Sequence, residues 1–127
     1  MQVDIVTPER VLFSEKEISL VTLPGIEGQM GILDQHLPVV TFLQPGVINV
    51  EKDENKFFFT TGGVVDFKDN ALSILCQEVF DIKDLSNEKI NELKDRASNK
   101  IKDQDSTDHD LFIANTMIDE LNLLQSK

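Results

Sequence analysis

A chain of 127 residues and 14.3 kDa is long enough for one domain, or one domain with a short appendage, and too short for two full-sized ones. With 40% apolar and 28% charged residues it can bury a core, which excludes a chain that stays disordered. Lys and Arg number 12 against 23 Asp and Glu, and the resulting net charge of -11 sets the chain against nucleic acid or an anionic lipid surface.

The first residues, Met1-Gln2-Val3-Asp4-Ile5-Val6, show neither the basic segment nor the apolar run of a leader. Nowhere do about 18 apolar residues follow one another, so no direct membrane insertion is expected. From Gln2 to Ile82 the sequence consists of short β-favouring runs: Val3-Asp4-Ile5, Glu17-Ile18-Ser19-Leu20, Val47-Ile48-Asn49-Val50, Phe57-Phe58-Phe59 and Leu72-Ser73-Ile74-Leu75. Turn chemistry separates them at Pro24-Gly25, Pro45-Gly46, Asp53-Glu54-Asn55 and Lys68-Asp69-Asn70. Gly62-Gly63 reads as a two-residue hairpin turn or as a bulge inside one long strand, with the bulge favoured. Many short strands with frequent turns predict an all-β sandwich or barrel over residues 1-84, taken here as a sandwich.

Near Asp84 the apolar period lengthens from two residues to about 3.6. Ser86 is a predicted N-cap, and Ile90, Leu93, Ala97 and Ile101 form one thin stripe on a helix over about 87-102. The polar break Asp103-Gln104-Asp105-Ser106-Thr107 precedes a second helix over about 108-125, capped by Thr107, with Asp108 and Asp110 favouring its positive end. Leu111, Ala114, Met117, Ile118, Leu121 and Leu124 form its stripe. A connection this short forces the helices into an antiparallel hairpin over residues 85-127. The predicted fold class is therefore α+β, an N-terminal sandwich followed by a C-terminal two-helix hairpin. So thin a pair needs a surface to dock on, which makes it a candidate moving element.

Chemistry-bearing residues are few. Asp103, Asp105, Asp108, His109 and Asp110 invite a hard cation, but a calcium loop starting at Asp103 would place Asp108 where Gly is needed and Ala114 where the bidentate Glu is needed. No metal is assigned. Gly25, Gly28 and Gly31 lack the ending of a phosphate loop, and His36 and His109 lie in segments without a nucleophile signature. Cys76 shares a strand face with Leu72 and Ile74 and reads as packing; one cysteine cannot form an internal disulfide, which suits a reducing compartment. His36 reads as a turn residue or a partner contact, and Glu78 as an edge or strand-end residue with no assigned role.

The segment from Pro24 to Pro38, Pro-Gly-Ile-Glu-Gly-Gln-Met-Gly-Ile-Leu-Asp-Gln-His-Leu-Pro, followed by Leu43-Gln44-Pro45-Gly46-Val47-Ile48, resembles the epsilon subunits of bacterial F-type ATP synthases, whose mitochondrial counterpart is the delta subunit. Thr61-Gly62-Gly63-Val64-Val65 looks like the family's later strand with paired glycines, and the resemblance runs the full length. It implies a non-catalytic central-stalk subunit of the rotor, placed between the gamma subunit and the c-ring at the cytoplasmic face of the bacterial inner membrane, with no cofactor of its own. By the same resemblance, loops at one end of the sandwich meet the c-ring. They correspond here to Glu27, Gly28, Gln29, Met30 and Gly31, and to His36, Leu37, Pro38 and Val39 running on to Thr41. Gln29 stands where many relatives carry an acid.

In this family the hairpin folds onto the sandwich or extends to the catalytic alpha/beta head, where it restrains ATP hydrolysis. Family inhibition uses basic residues of the second helix. From Asp108 onward this chain offers Asp108, Asp110, Asp119 and Glu120 against Lys127 alone, so inhibition is expected to be weak. Some relatives bind ATP through an aliphatic-Asp-x-x-Arg-Ala motif; Arg96-Ala97 is present here without the aliphatic-aspartate pair, so tight ATP binding is not expected. The alternative is a small β-sandwich ligand- or metal-binding domain or enzyme, but two separated histidines supply a poor metal set.

Overall fold

The computed structural model describes residues 1-125. Ten strands come first: β1 (Gln2–Val6), β2 (Val11–Glu15), β3 (Leu20–Gly25), β4 (Gly28–Leu33), β5 (Val39–Leu43), β6 (Gly46–Glu51), β7 (Asn55–Thr60), β8 (Gly63–Lys68), β9 (Ala71–Cys76) and β10 (Val79–Asp81). A single 3-10 turn, Ile82–Asp84, leads to α1 (Asn87–Lys102) and α2 (Asp108–Gln125).

The strands follow one hydrogen-bonded path, β10-β7-β6-β3-β5-β8-β9-β1-β2, with β4 on the other side of β3. The join between β3 and β5 is a single residue pair, Gly25 with Leu43. This corner divides the path into two sheets, β4-β3-β6-β7-β10 and β5-β8-β9-β1-β2, whose inner faces close on one core. Val3, Ile5, Val21, Leu23, Ile48, Val65, Phe67, Leu72 and Ile74 are all at most 1% exposed, and the rings of Phe13 and Phe58 meet edge to face at 5.6 Å across the layers. Cys76 is buried beside them, and burial pushes its thiol pKa up.

Strands read from simple alternation are present at β1, β6, β7 and β9, but two readings need correction. Glu17-Ile18-Ser19 is not a strand; it leads into β3, with Glu17 at φ 62. Pro24-Gly25 is not a turn but the end of β3, and the turn falls on Ile26-Glu27, because Gly25 pairs with Gly28. Gly62-Gly63 is neither a hairpin nor a bulge in one strand. β7 pairs with β6 and β10 while β8 pairs with β5 and β9, so the segment carries the chain from one sheet to the other. Gly62 bends at φ 130, and a Cβ on Gly63 would lie 2.2 Å from the Leu75 carbonyl oxygen, so neither site accepts a side chain without backbone movement. At the tip between β8 and β9, Asp69 (φ 51) and Asn70 (φ 57) form a two-residue turn of mirror-image hand, which suits the twist of a hairpin.

The predicted helix caps are in place. Ser86 Oγ accepts from the Lys89 amide at 3.1 Å. Thr107 Oγ1 accepts from the Asp110 amide while the Asp110 carboxylate accepts from the Thr107 amide, a reciprocal box at 3.1 Å each way. Asp103 Oδ1 accepts from the Asp105 amide at 2.9 Å, so this part of the acidic cluster shapes the interhelical turn. The helices run antiparallel, joined by Lys94 Nζ donating to Gln125 Oε1 at 2.8 Å at one end and by Lys100 facing Asp110 at 3.9 Å near the other. Lys127 lies outside the described residues.

The hairpin docks on the outer face of the first sheet over β6, β7 and β10. Phe59 of β7, Ile90 and Leu93 of α1, and Leu121 of α2 form a second buried cluster, with Val47, Phe80, Met117 and Leu124 packed around it. β6 and β7 are therefore apolar on both faces: Ile48 and Phe58 point to the main core, Val47 and Phe59 to the helices.

Candidate partner interface

The residues expected to contact the c-ring run from Glu27, in the turn before β4, through Gly28 to Gly31 on β4, to His36, Leu37 and Pro38 in the next loop and Val39 at the start of β5. The hairpin of β4 with β3 turns at Ile26-Glu27, closed by Gly28 at φ 124, a value that favours glycine. Glu27, Gly28, Gln29 and Gly31 are exposed, while Met30 leans against the main core. β4 pairs with β3 alone, so its outer edge leaves backbone groups unpaired.

Beyond Leu33 the chain bends through Asp34 and Gln35 (φ 65), and the His36 amide donates to the Leu33 carbonyl at 3.0 Å. Asp34 Oδ1 accepts from the Met1 ammonium at 2.7 Å and from Asn70 Nδ2 at 2.9 Å. These bonds, the one from the ammonium foremost, hold the Asp34 carboxyl below its usual range. His36 is exposed, with Nδ1 2.6 Å from the Leu37 carbonyl oxygen and its ring edge-on to Phe67 at 5.9 Å. Leu37 and Pro38 are exposed as well, and Val39 is half-buried where it pairs with Phe67.

Glu27 and His36 do not share one end of the sandwich. The six residues of β4 separate them by about 20 Å, because β5 runs back from Val39 to bring Leu43, not His36, beside Gly25. The predicted contact residues thus form an elongated strip that follows the β4 edge of the first sheet and ends on β5 of the second, rather than a cluster of loops at one end.

A second surface went unread in the sequence. On the outer face of the second sheet, Phe42, Val64, Leu75, Val6 and Val11 stand in register across β5, β8, β9, β1 and β2. Phe42 is 63% exposed, Leu75 46% and Val11 61%, and the Ile26 amide donates to the Phe42 carbonyl at 3.1 Å, which carries the row to the Glu27 turn. A depression of about 320 Å³ lies among Pro8, Phe42, Val64 and Leu75. In the next row, beyond an exposed Val40, Asp66, Ser73, Asp4 and Ser14 turn the face polar and acidic. The signal available in the sequence was Val39-Val40-Thr41-Phe42-Leu43, a strand without polar alternation, which marks a segment apolar on both faces.

The hairpin meets the sandwich through one more group. Glu78, just past β9, takes two hydrogen bonds from the Arg96 guanidinium of α1, which hold its carboxyl below the usual range. Lys89 Nζ lies 5.5 Å from the Phe80 ring centre. Between the helices, Arg96, Lys100, His109, Asp110 and Met117 line a groove of about 360 Å³.

A small sandwich with an uncovered apolar row, an open sheet edge and a docked helical arm is built to bind other proteins. A family model for the beta-sandwich domain of ATP synthase delta/epsilon chains matches residues 1–82. The chain is 36% identical over 124 residues to the ATP synthase epsilon chain of Pelagibacter ubique, covering 97% of this chain and 95% of that one. It is also 36% identical over 107 residues to the epsilon chain of Desulforamulus reducens, covering 83% and 80%. Chains in the mitochondrial ATP synthases of Euglena gracilis (TM-score 0.72, 19% identity, 98% of this chain and 78% of that one) and Tetrahymena thermophila (TM-score 0.69, 21% identity, 98% and 93%) share the fold. The chain belongs to the ATP synthase delta/epsilon family and is a non-catalytic subunit, part of a membrane-associated complex. Among the described residues no helix is long and apolar enough to cross a membrane.

Proposed function

We propose that the chain is a rotor subunit that joins gamma to the c-ring of an F-type ATP synthase at the cytoplasmic face of the bacterial inner membrane. Residues 1-84 serve as the joint and residues 85-127 as a helical arm. The observation that carries this reading is the apolar row from Phe42 to Val11. The hairpin covers part of the outer face of the first sheet, at β6, β7 and β10, while the equivalent face of the second is left bare, and a row of this kind suits a partner held permanently. Gamma is assigned to that row. The β4 strip, with Glu27, Gln29 and His36 as its polar groups and Gly28 and Gly31 permitting close approach, is assigned to the loops of the c-ring.

Tagged chain passed over detergent-solubilised membranes of the source organism is expected to recover gamma and c together. Recovery of neither, under conditions that keep the synthase intact, would overturn the assignment.

The acidic residues of α2, Asp108, Asp110, Asp119 and Glu120, oppose a dock on acidic segments of the alpha/beta head. Deleting the hairpin is therefore expected to change the ATP hydrolysis rate of the assembled enzyme by less than about twofold, since like charge contributes no attraction at short range. A rise of tenfold or more would show a strong brake. In the interhelical groove Arg96 is already engaged by Glu78, so calorimetry with ATP is expected to show no site in the low micromolar range; a saturating isotherm there would refute this.

A further inference from the structure

The bend that carries His36, Leu37 and Pro38 is held from another loop. Gln35 stands at φ 65, and the turn between β8 and β9 places Asp69 at φ 51 and Asn70 at φ 57, so three of the four non-glycine residues in the left-handed region, among the described residues, lie at this junction. That region is unfavourable for a residue with a side chain, and it persists where the surroundings fix it. Here the fixing group is one side-chain amide. Asn70 Oδ1 accepts from the Gln35 amide at 2.8 Å, and Asn70 Nδ2 donates to Asp34 Oδ1 at 2.9 Å. Both ends of the Asn70 side chain are thus engaged by consecutive residues that lie 35 and 36 positions earlier in the chain. The strand that leads into the same turn supplies Phe67, whose ring meets the His36 ring edge-on at 5.9 Å and whose backbone pairs with Val39. The bend is pinned at its entry by Asn70 and at its exit by Phe67. Between these two points it presents Leu37, which at 79% exposure is the most exposed large apolar side chain among the described residues.

We propose that Asn70, which lies outside the contact strip, is a positioning residue for the c-ring contact: its side chain holds residues 34-38 in the one conformation that offers His36 and Leu37 to the ring. This rests on the assignment of the strip to the c-ring. A partner that meets a bend already fixed does not have to order it, so the Asn70 clip raises affinity without touching the partner.

Asn70→Gly separates the side chain from the turn. Glycine adopts φ 57 freely, and the carbonyl at position 70, which accepts from the Gln2 amide at 3.1 Å, is retained. In the full-length variant the amides of Gln35 and His36 are expected to exchange about tenfold faster, while those of β8 and β9 keep their wild-type rates. Bound to gamma, the variant is expected to hold the detergent-solubilised c-ring about tenfold more weakly, with its affinity for gamma unchanged. Asp69→Gly, in the same turn but leaving the clip intact, is expected to keep wild-type affinity for the ring. Unchanged exchange at Gln35 and His36 in Asn70→Gly would overturn the clip. Faster exchange with no loss of c-ring affinity, where His36→Ala/Leu37→Ala does lose affinity, would overturn the positioning role alone. Affinity for the ring that ignores both variants would overturn the strip assignment and the proposal with it. An equal loss in Asp69→Gly would mean that the turn as a whole matters, and would overturn the role of the Asn70 side chain.

Discussion

Phe59→Ala is expected to cost about 3–5 kcal/mol, a large share of the stability of a domain this size. Phe59 is fully buried, yet it faces away from the main core. Its ring fills the space between β7 and the two helices, so truncation leaves a cavity against Ile90, Leu93 and Leu121. The hairpin stripes are thin, with Ile90, Leu93 and Ala97 the buried residues of α1 and Ala114 and Leu121 those of α2, and cannot close that gap. Detachment of the hairpin should therefore precede unfolding of the sandwich. Calorimetry is expected to show a melting temperature lower by about 10–20 °C, and hydrogen exchange to show loss of protection over 87-125 first. A loss spread evenly over both parts would mean that the two clusters behave as one core.

The second large effect concerns binding. Phe42→Asp combined with Leu75→Asp should leave the fold nearly unchanged, because both side chains are about half or more exposed and sit on the outer face of their strands. Two buried charges in a docked apolar row, one at its β5 end and one at its middle, on a surface already lined by Asp4 and Asp66, should weaken association with gamma by about a hundredfold or more. Titration of gamma against the folded variant checks this. Wild-type affinity would move the gamma contact elsewhere. The paired control is Glu27→Ala with His36→Ala, which by the same reading should keep gamma and weaken the c-ring contact.

How far the sequence could be read depended on how local the determining signal was. Ser86 and Thr107 were legible as caps because the capping bond spans three residues, and the helical stripes because their spacing is regular. β4 was harder. With Gly28 and Gly31 along an exposed edge it has little alternation to show, so its residues read as a loop signature rather than a strand. Pro24-Gly25 looked like a turn because it has turn composition, while the pairing of Gly25 with Gly28 moved the turn two residues on. Glu27 and His36 were grouped by family resemblance, as loops at one end of the sandwich, and the intervening strand β4 sets them at its two ends. Glu78 drew no role because its partner, Arg96, comes within reach only after the hairpin has docked. The apolar row escaped notice because it draws one residue from each of five strands, and no window along the chain contains it.

The pairing of β1 with β9 bears on how the molecule is made. Gln2 to Val6 lie parallel to Ala71 to Leu75, so β1 is synthesised well before the inner neighbour that it pairs with. β1 joins β2 at once as a lone antiparallel ribbon, which is marginal in water by itself. The second sheet therefore closes late, on a contact of high sequence separation, and its completion should set the pace of folding. A ribosome-bound chain stopped short of Leu75 would hold Val3 and Ile5 without the partners that bury them.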